Sequence, residues 1–263
     1  RKRAAKALEA ANLESERANI AKSRFLAAAS HDLRQPLQSL TLLKELLVRS
    51  VKEDRSRQLL VRLGQTLDAM SGMLDALLDI NQIEAGVVET NRVQFPIADI
   101  LDKLREEFSY LAQARGLSLR ILPTTAMVWS DPALLEQILR NLLGNALKYT
   151  KSGKILLGCR RRGDEILVEV WDTGIGIAEN QLHAIFDEFH QVDNAARERS
   201  QGLGLGLSIV QQLAQLLNLE FDVRSILGKG SVFTVHLPLL SDSKSDISER
   251  TGQPPHDTNP DQQ

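Results

Sequence analysis

Leucines recur every seven residues near the start of the chain, at Leu26, Leu33, Leu40 and Leu47. A second apolar series runs between Leu60 and Leu77 in alternating steps of three and four residues. An average spacing of about 3.5 residues is typical of helices that bury a narrow seam against other helices. The spacing therefore predicts two long helices in this part of the chain.

The polar stretch 49–57 is the predicted reversal between these helices, and Gly86 is the predicted stop of the second. One hairpin of two helices has no closed core, whereas two hairpins together form a four-helix bundle. We therefore expect a homodimer; the alternative is a hairpin packed on the rest of its own chain. Four leucines are expected to be buried between the protomers: Leu33, Leu40, Leu67 and Leu74.

After Asn91 the pattern changes to short β-rich runs that alternate with helical segments. Helices are predicted over 97–116, 132–149 and 205–217, with Asp131 as the N-cap of the second. Helices segregated from hairpins indicate one helical layer on a mixed sheet, which is an α/β sandwich. The predicted fold is thus multidomain, a dimerising helical hairpin followed by this sandwich. Strands are predicted over 117–121, 127–129, 154–160, 165–171, 220–225 and 231–237.

The charge balance excludes some partners. The 32 Lys and Arg residues against 34 Asp and Glu give a formal net charge of -2, without the basic excess that phosphate contacts to nucleic acid need. No apolar run approaches the roughly 18 to 20 residues that cross a bilayer, so no direct membrane contact is expected of this segment. The single cysteine, Cys159, permits no internal disulfide and suits a reducing compartment. The first residue is Arg1 rather than Met, so we expect this chain to be a segment of a longer protein. The segment itself is expected in the cytoplasm, and the full-length protein is either membrane-anchored or not.

His31 lies in the segment 30–37, SHDLRQPL, inside the first predicted helix. At about 100° per residue, its side chain points roughly 180° away from Leu40 and so away from the seam. A neutral imidazole is nucleophilic near neutral pH, and an exposed one can be reached by another domain. Asp32 can accept a hydrogen bond from Nδ1 and leave Nε2 free to attack. An ordinary surface histidine is the alternative that spacing alone leaves open.

Two glycine segments indicate a phosphate site: 172–176, DTGIG, closes a predicted strand, and 202–207, GLGLGL, opens a predicted helix. Backbone amides without side chains at a helix N-terminus can cradle phosphate. Asn141 and Asn145 lie four residues apart on one helix face, with Lys148 one turn later. Amide oxygens suit a Mg²⁺ ion that carries phosphate oxygens. Ordinary turn glycines and asparagines bonded to backbone are the alternatives at this point.

These segments, in this order, resemble the sensor histidine kinases of two-component signalling, and the resemblance spans essentially residues 21–239. It implies a dimerisation and phosphotransfer hairpin, followed by a Bergerat-type ATP-binding domain, and it is compatible with the kinase core of a hybrid kinase. Six motifs in the right order and spacing make the resemblance specific. They are the H box (30–37), the N box (141–150, NLLGNALKYT), the G1 box (172–176), the F box (185–189, IFDEF), the G2 box (202–207) and a closing hairpin (228–238).

The resemblance implies ATP-dependent autophosphorylation with Mg²⁺ as the metal. His31 would be the phosphoacceptor and Asp32 its acid/base partner. Asn145 would hold the Mg²⁺, with Asn141 contributing from one turn earlier. The phosphoryl group would then pass to an aspartate on a response-regulator receiver domain, which is the expected partner besides the second copy of the chain.

The resemblance also assigns the nucleotide contacts. Asp172 would accept a hydrogen bond from the exocyclic amine of adenine, which favours ATP over GTP because guanine carries a carbonyl there. Ser231 would steady Asp172 through a water, Tyr149 would flank adenine and Lys148 would meet phosphate. The segment 190–201 would be a lid. The remaining residues of the implied site are Gly174, Gly176, Gly202, Gly204 and Gly206, which let the backbone close on the ligand, and Arg197 or Arg199, which would reach the triphosphate.

Two positions depart from the family pattern. Members with this H box usually have Glu after the histidine and Thr or Asn four residues beyond the histidine, where this chain has Asp32 and Gln35. Aspartate is a shorter carboxylate and should serve similarly. Gln35 can orient a water for dephosphorylation of a partner, but the usual phosphatase residue is absent. Two alternatives to a kinase therefore stand: a phosphatase-biased regulator of the receiver, and a signalling scaffold whose ATP site is degenerate.

The sequence predicts four segments. They are a signalling helix or linker over 1–20, the dimerisation and histidine phosphotransfer domain over 21–88, the ATP-binding catalytic domain over 92–240 and a disordered tail over 241–263.

Overall fold

The computed structural model describes residues 33–48, 50–51, 54–188, 190 and 204–239. Helix α1 covers residues 33–48, and helix α2 is Asp54–Glu84. The helices run antiparallel, because Arg34 pairs with Asp75 at 2.5 Å near one end while the Lys44 side chain lies against Gly64 nearer the other. The predicted helical hairpin is confirmed over these residues, and α2 begins at Asp54, inside the stretch 49–57 that the sequence assigned to the reversal.

Burial divides the hairpin leucines into two groups. Leu37 and Leu67 are each only 4% exposed in a single chain, whereas Leu33 is 52% and Leu40 47% exposed. The hairpin itself therefore covers Leu67, and the expectation that a partner buries this residue is wrong. Leu33, Leu40 and Leu47 form an exposed row with a spacing of seven residues. This row lies on the side of α1 that does not pack against α2.

Helix α2 stops as the sequence predicts. Gly86 has φ +64°, and its amide donates to the carbonyl of Ile83, while the Val87 amide reaches back to Gln82. A left-handed residue is readily supplied by glycine because it has no Cβ. The chain then leaves the helix toward the second half of the molecule.

The second half contains a five-stranded mixed sheet made of β2 (Ser118–Ile121), β4 (Lys154–Arg162), β5 (Glu165–Asp172), β6 (Phe221–Ile226) and β7 (Gly230–Pro238). The strand order is β2-β4-β5-β7-β6. The predicted hairpins β4–β5 and β6–β7 are both present, and β5 pairs antiparallel with β7 in the centre. Only the edge pair β2–β4 of this sheet is parallel, which requires a crossover through the helix between them.

Three helices cover one face of this sheet, as expected for an α/β sandwich. They are α3 (Ala98–Ala114), α4 (Pro132–Tyr149) and α5 (Gly206–Leu216). Their apolar faces pack with the inward side chains of β4, β5 and β7 in one continuous core. Short 3₁₀ turns at Glu179–Gln181 and Ala184–Phe186 follow β5.

The sequence missed a small second sheet. Strand β1 (Val93–Pro96) pairs antiparallel with β3 (Met127–Ser130), and β1 was not predicted because it is four residues long and ends in proline. Among the residues that the structure describes, no helix combines the length and the apolar character needed to cross a bilayer.

The end of α2 joins the core of the sandwich. Ile80 is 4% exposed within that core, and Ala76, Leu77 and Ile83 pack against it from the same helix. The hairpin and the sandwich are therefore held together by an apolar contact along the last turns of α2.

Candidate functional site

Helix α4 positions four of the predicted site residues. Its N-cap is Asp131, whose side chain accepts hydrogen bonds from the amides of Ala133 and Leu134 at 2.9 and 3.1 Å. The helix buries Leu135, Ile138, Leu139, Leu142, Leu143 and Ala146 in the core. The opposite side of the helix carries Asn141, Asn145, Lys148 and Tyr149, all of which line one cavity.

The two asparagines lie against the start of α5. A Cβ at Gly206, the first residue of α5, would be 3.3 Å from Oδ1 of Asn141 and 3.6 Å from Nδ2 of Asn145. Asn141 donates through Nδ2 to the carbonyl of Gln137 at 3.0 Å, which turns its Oδ1 toward Gly206. The alternative raised from the sequence, an asparagine bonded to backbone, therefore holds for Nδ2 of Asn141. The Oδ1 of the same side chain faces the cavity instead.

Asp172 ends β5 at the other side of the cavity. Its Oδ1 accepts a hydrogen bond from the amide of Gly174 at 2.8 Å. Burial raises the pKa of this carboxyl above its ordinary value, and hydrogen bonds from Gly174 and from the backbone and side chain of Ser231 oppose the rise. Ser231 lies directly opposite Asp172 in the β5–β7 pairing, and its hydroxyl lies 2.9 Å from that of Ser225. The water expected between Ser231 and Asp172 stays a prediction.

Close backbone approaches explain the glycines of this region. A Cβ at Gly174 would lie 2.5 Å from the carbonyl oxygen of Tyr149, so this residue lets the end of α4 meet the turn after β5. Gly176 has φ +65°, and a Cβ there would lie 2.1 Å from the carbonyl oxygen of Ile226. Gly230, which the sequence did not assign to the site, is equally constrained, since its Cβ would lie 2.0 Å from the carbonyl oxygen of Asp172.

These groups surround a cavity of about 1300 Å³. Gly174 and Gln35 do not line it, and Gln35 is exposed on α1. His31, Asp32, Arg197, Arg199 and Gly202 fall outside the described residues. The predicted site residues that line the cavity are Asn141, Asn145, Lys148, Tyr149, Asp172, Gly176, Gly204, Gly206 and Ser231.

Sequence reasoning missed the wall that α2 contributes. Met70, Met73 and Ala76 of this helix line the same cavity as the asparagines, and Ile175 and Phe233 add apolar surface beside Asp172. Met70 belongs to the apolar series of α2, which the sequence assigned to a helical seam, and Met73 lies outside that series. No pattern in the sequence distinguishes a seam residue from one that faces another domain.

The donor set suits a magnesium ion that arrives with phosphates. Within the described ranges, no group of three or more His, Cys, Asp or Glu side chains is placed to hold a metal. The Oδ1 of Asn141, freed by the bond of Nδ2 to Gln137, and the side chain of Asn145 lie at the N-terminus of α5. Neutral amide oxygens there complement a cation that phosphate and water already coordinate.

Lys148 stays close to the helix end. Its Nζ lies 4.6 Å from the ring centroid of Tyr149, within the range of a cation–π contact. Both residues line the cavity, so the ammonium and the ring can together contact a ligand that carries a charged group and a planar group.

Comparisons with known proteins assign the two halves of the chain to two families. Residues 21–86 match the His Kinase A (phospho-acceptor) domain, and residues 130–241 match the histidine kinase-, DNA gyrase B- and HSP90-like ATPase. The sensor histidine kinase AtsR of Burkholderia thailandensis is 33% identical over 259 residues, covering 94% of this chain and 43% of AtsR. The autoinducer 2 sensor kinase/phosphatase LuxQ of Vibrio cholerae is 32% identical over 254 residues, covering 94% of this chain and 30% of LuxQ.

A solved structure gives the same result. Full-length ShkA in complex with AMPPNP superposes with a TM-score of 0.66 at 28% sequence identity, covering 81% of this chain and 45% of ShkA. The chain spans less than half the length of each of these relatives. The fold predicted from sequence, a helical hairpin followed by an α/β sandwich, is confirmed. The chain belongs to the sensor histidine kinases of two-component signalling, a family of protein-histidine kinases, and contains their phospho-acceptor and ATPase domains.

Proposed function

We propose that this chain binds Mg²⁺ATP in the cavity beside α4 and transfers the γ-phosphoryl group to His31. The observation that carries the proposal is the convergence of the amides of Asn141 and Asn145, the start of α5 and the carboxylate of Asp172 on one cavity of about 1300 Å³. AMPPNP, which ShkA holds in its solved complex, is an ATP analogue, and this supports ATP as the ligand.

The adenine base would lie at the Asp172 end of the cavity. Asp172 keeps Oδ1 on the Gly174 amide and offers Oδ2 to the exocyclic amine of adenine. Ser231 holds this carboxylate from the neighbouring strand, and the Tyr149 ring covers the base. Burial of the acceptor makes the match stringent, because a ligand with a carbonyl in place of the amine leaves the carboxylate without its donor.

The phosphates would lie at the asparagine end. The backbone amides at Gly204 and Gly206 open α5, whose N-terminus attracts negative charge. Lys148 adds a positive charge, and Arg197 or Arg199 would approach from the segment 191–203. Asn145 and Asn141 would hold the Mg²⁺, which when bound neutralises the charge of the phosphate oxygens.

The chemical step is an in-line displacement. Nε2 of His31 attacks the γ-phosphorus, the bond from that phosphorus to the bridging β–γ oxygen breaks, and ADP leaves with the electron pair. Asp32 accepts a hydrogen bond from Nδ1–H and stabilises the imidazolium that forms. The phosphohistidine then donates its phosphoryl group to an aspartate of a receiver domain, which regenerates the imidazole.

The assembly that fits this reaction is a homodimer in the cytoplasm. The phosphotransfer domain would span 21–88 and the ATP-binding domain 92–240, and a four-helix bundle would form through the exposed leucine row of α1. The expectations for 1–20 and 241–263 lie outside the described residues and stay predictions.

Autophosphorylation with γ-labelled ATP tests the proposal. We expect an acid-labile, alkali-stable label on the wild-type chain, no label on His31→Gln, and unchanged binding of an ATP analogue by that variant. Asn145→Ala is the matched variant, which should lose both label and nucleotide binding. A label that persists in His31→Gln would overturn the proposal, and nucleotide binding indifferent to Asn145→Ala would favour the scaffold alternative.

A phosphatase activity toward the receiver is a second candidate. Gln35 is exposed on α1 four residues after His31, and the related LuxQ is named a sensor kinase/phosphatase. A carboxamide can align a water without acting as a nucleophile. Gln35→Ala should leave autophosphorylation intact and slow receiver dephosphorylation; equal loss of both would mean that the residue is structural.

A further inference from the structure

A hydrogen bond joins the hairpin to the ATP-binding half. Nε2 of Gln137, on α4, donates to Oδ2 of Asp79, on α2, at 2.5 Å. Both side chains are half-buried between the two helices. The bond thus links a residue of the phospho-acceptor domain to a residue of the ATPase domain.

On the α4 side, the link reaches the amides of the nucleotide site. Gln137 precedes Asn141 by one helical turn, and its carbonyl oxygen accepts the hydrogen bond from Asn141 Nδ2. A shift of Gln137 relative to α2 therefore moves the turn that carries Asn141 as well.

On the α2 side, the link reaches the phosphoacceptor segment. Asp75 lies one turn before Asp79 and forms an ion pair with Arg34 at 2.5 Å. Arg34 follows His31 by three residues in the sequence. Burial raises the pKa of Asp79, the charge of Asp75 raises it further and the charge of Arg34 lowers it, so the three side chains form one electrostatic cluster.

The same stretch of α2 also makes apolar contacts with the sandwich. Ala76, Leu77, Ile80 and Ile83 pack against the core of the ATP-binding half. Apolar contacts hold surfaces together without fixing their direction, whereas a hydrogen bond is directional and sets which groups face each other. The Asp79–Gln137 bond is therefore suited to fix the register of α4 on α2.

We infer that Asp79 and Gln137 are positioning residues, which hold the helix of the nucleotide-site asparagines at the level of the hairpin where His31 accepts phosphate. The inference rests on the proposed function. Neither residue lines the cavity assigned to the nucleotide, so loss of the bond should slow phosphoryl transfer by a larger factor than it weakens nucleotide binding.

The test exchanges donor and acceptor. Gln137→Glu places two carboxylates together and should lower the autophosphorylation rate at saturating ATP about tenfold, the ratio expected for loss of one hydrogen bond to a charged group. Asp79→Asn keeps an acceptor for Gln137 and should stay within about twofold of wild type. Asp79→Asn combined with Gln137→Glu restores one bond with reversed polarity and should recover the rate. Gln137→Ala is a second disrupting variant.

The control is Lys103→Ala. Lys103 forms an exposed ion pair with Glu136, the residue before Gln137, on the side of α4 that meets α3. Its rate should match wild type. An ATP-analogue Kd that shifts in proportion to the rate, an unchanged or increased rate in Gln137→Glu, or no recovery in the double variant would overturn the inference. A wild-type chain that acquires no label on His31 would instead count against the proposed function.

Discussion

Asp172 and Ser231 face each other across the central pair of strands, β5 and β7. This placement lets a side chain and a backbone group of one strand hold the carboxylate that ends the other. Because the Gly174 amide occupies Oδ1, an asparagine at this position would keep its oxygen there and turn its NH₂ toward the adenine amine. Asp172→Asn should therefore weaken ATP-analogue binding at least about tenfold. It should also reduce the ratio between the affinity for the ATP analogue and the affinity for GTP, both measured by calorimetric titration.

The same substitution should stabilise the protein without ligand. Burial raises the pKa of Asp172, so the ionised carboxylate costs folding free energy once the pH exceeds that raised pKa. The cost is absent below the ordinary pKa of the unfolded chain. Asp172→Asn should thus have a larger free energy of unfolding than wild type at pH 7, and the difference should shrink as the pH falls toward 4, checked by urea titration at both pH values. An advantage that grows toward acid pH would contradict this sign.

Gly174 should not tolerate a side chain. Gly174→Ala places a Cβ 2.5 Å from the Tyr149 carbonyl oxygen and 2.8 Å from Oδ1 of Asp172, and neither atom can move freely. We expect destabilisation of about 1–3 kcal/mol and loss of nucleotide binding. Gly72, in the interior of α2, has open space where a Cβ would be, so Gly72→Ala should raise stability by about 0.5–1 kcal/mol. Equal tolerance at the two positions would show that the turn after β5 can relax.

Leu40 and Leu37 should separate dimerisation from folding. Leu37 is 4% exposed inside the hairpin, so Leu37→Ala should lower protomer stability by about 2–5 kcal/mol. Leu40 is 47% exposed in one chain, and Leu40→Ala should chiefly weaken the dimer, where symmetry makes each cavity occur twice. Light scattering across a dilution series measures the dimer, and thermal unfolding at fixed concentration measures the fold. A Leu40→Ala dimer as tight as wild type would move the interface elsewhere.

Cys159 should react slowly with thiol reagents. It is the single cysteine of the chain, and burial raises the pKa of its thiol to about 12. The thiolate that attacks such reagents is thus almost absent at pH 8. We expect the native protein to react far more slowly than the urea-unfolded protein, which provides the reference rate. A native rate equal to the unfolded one would mean that β4 opens readily.

Local sequence patterns predicted most of the fold. The leucine spacing predicted α1 and α2, and Asp131 followed by Pro132 marked the start of α4, because capping and periodicity depend on near neighbours. The parallel β2–β4 pair and strand β1 depend on distant partners and left no such pattern. The same limit applies to the site: the asparagines and glycines were found by motif, whereas Gly230 and the α2 wall required the packed structure.

The shared core at the end of α2 has a consequence for engineering. Ile80 lies in the hydrophobic interior of the sandwich although it belongs to the hairpin helix. A chimaera that joins this ATP-binding half to another kinase's hairpin at residue 91 would replace that isoleucine with a side chain chosen for a different neighbour. A fusion junction before Ala76 would keep Ile80 and its neighbours on α2 together with the sandwich core that they pack into. The hairpin and the ATP-binding half are therefore better separated within α2 than at the segment that follows it.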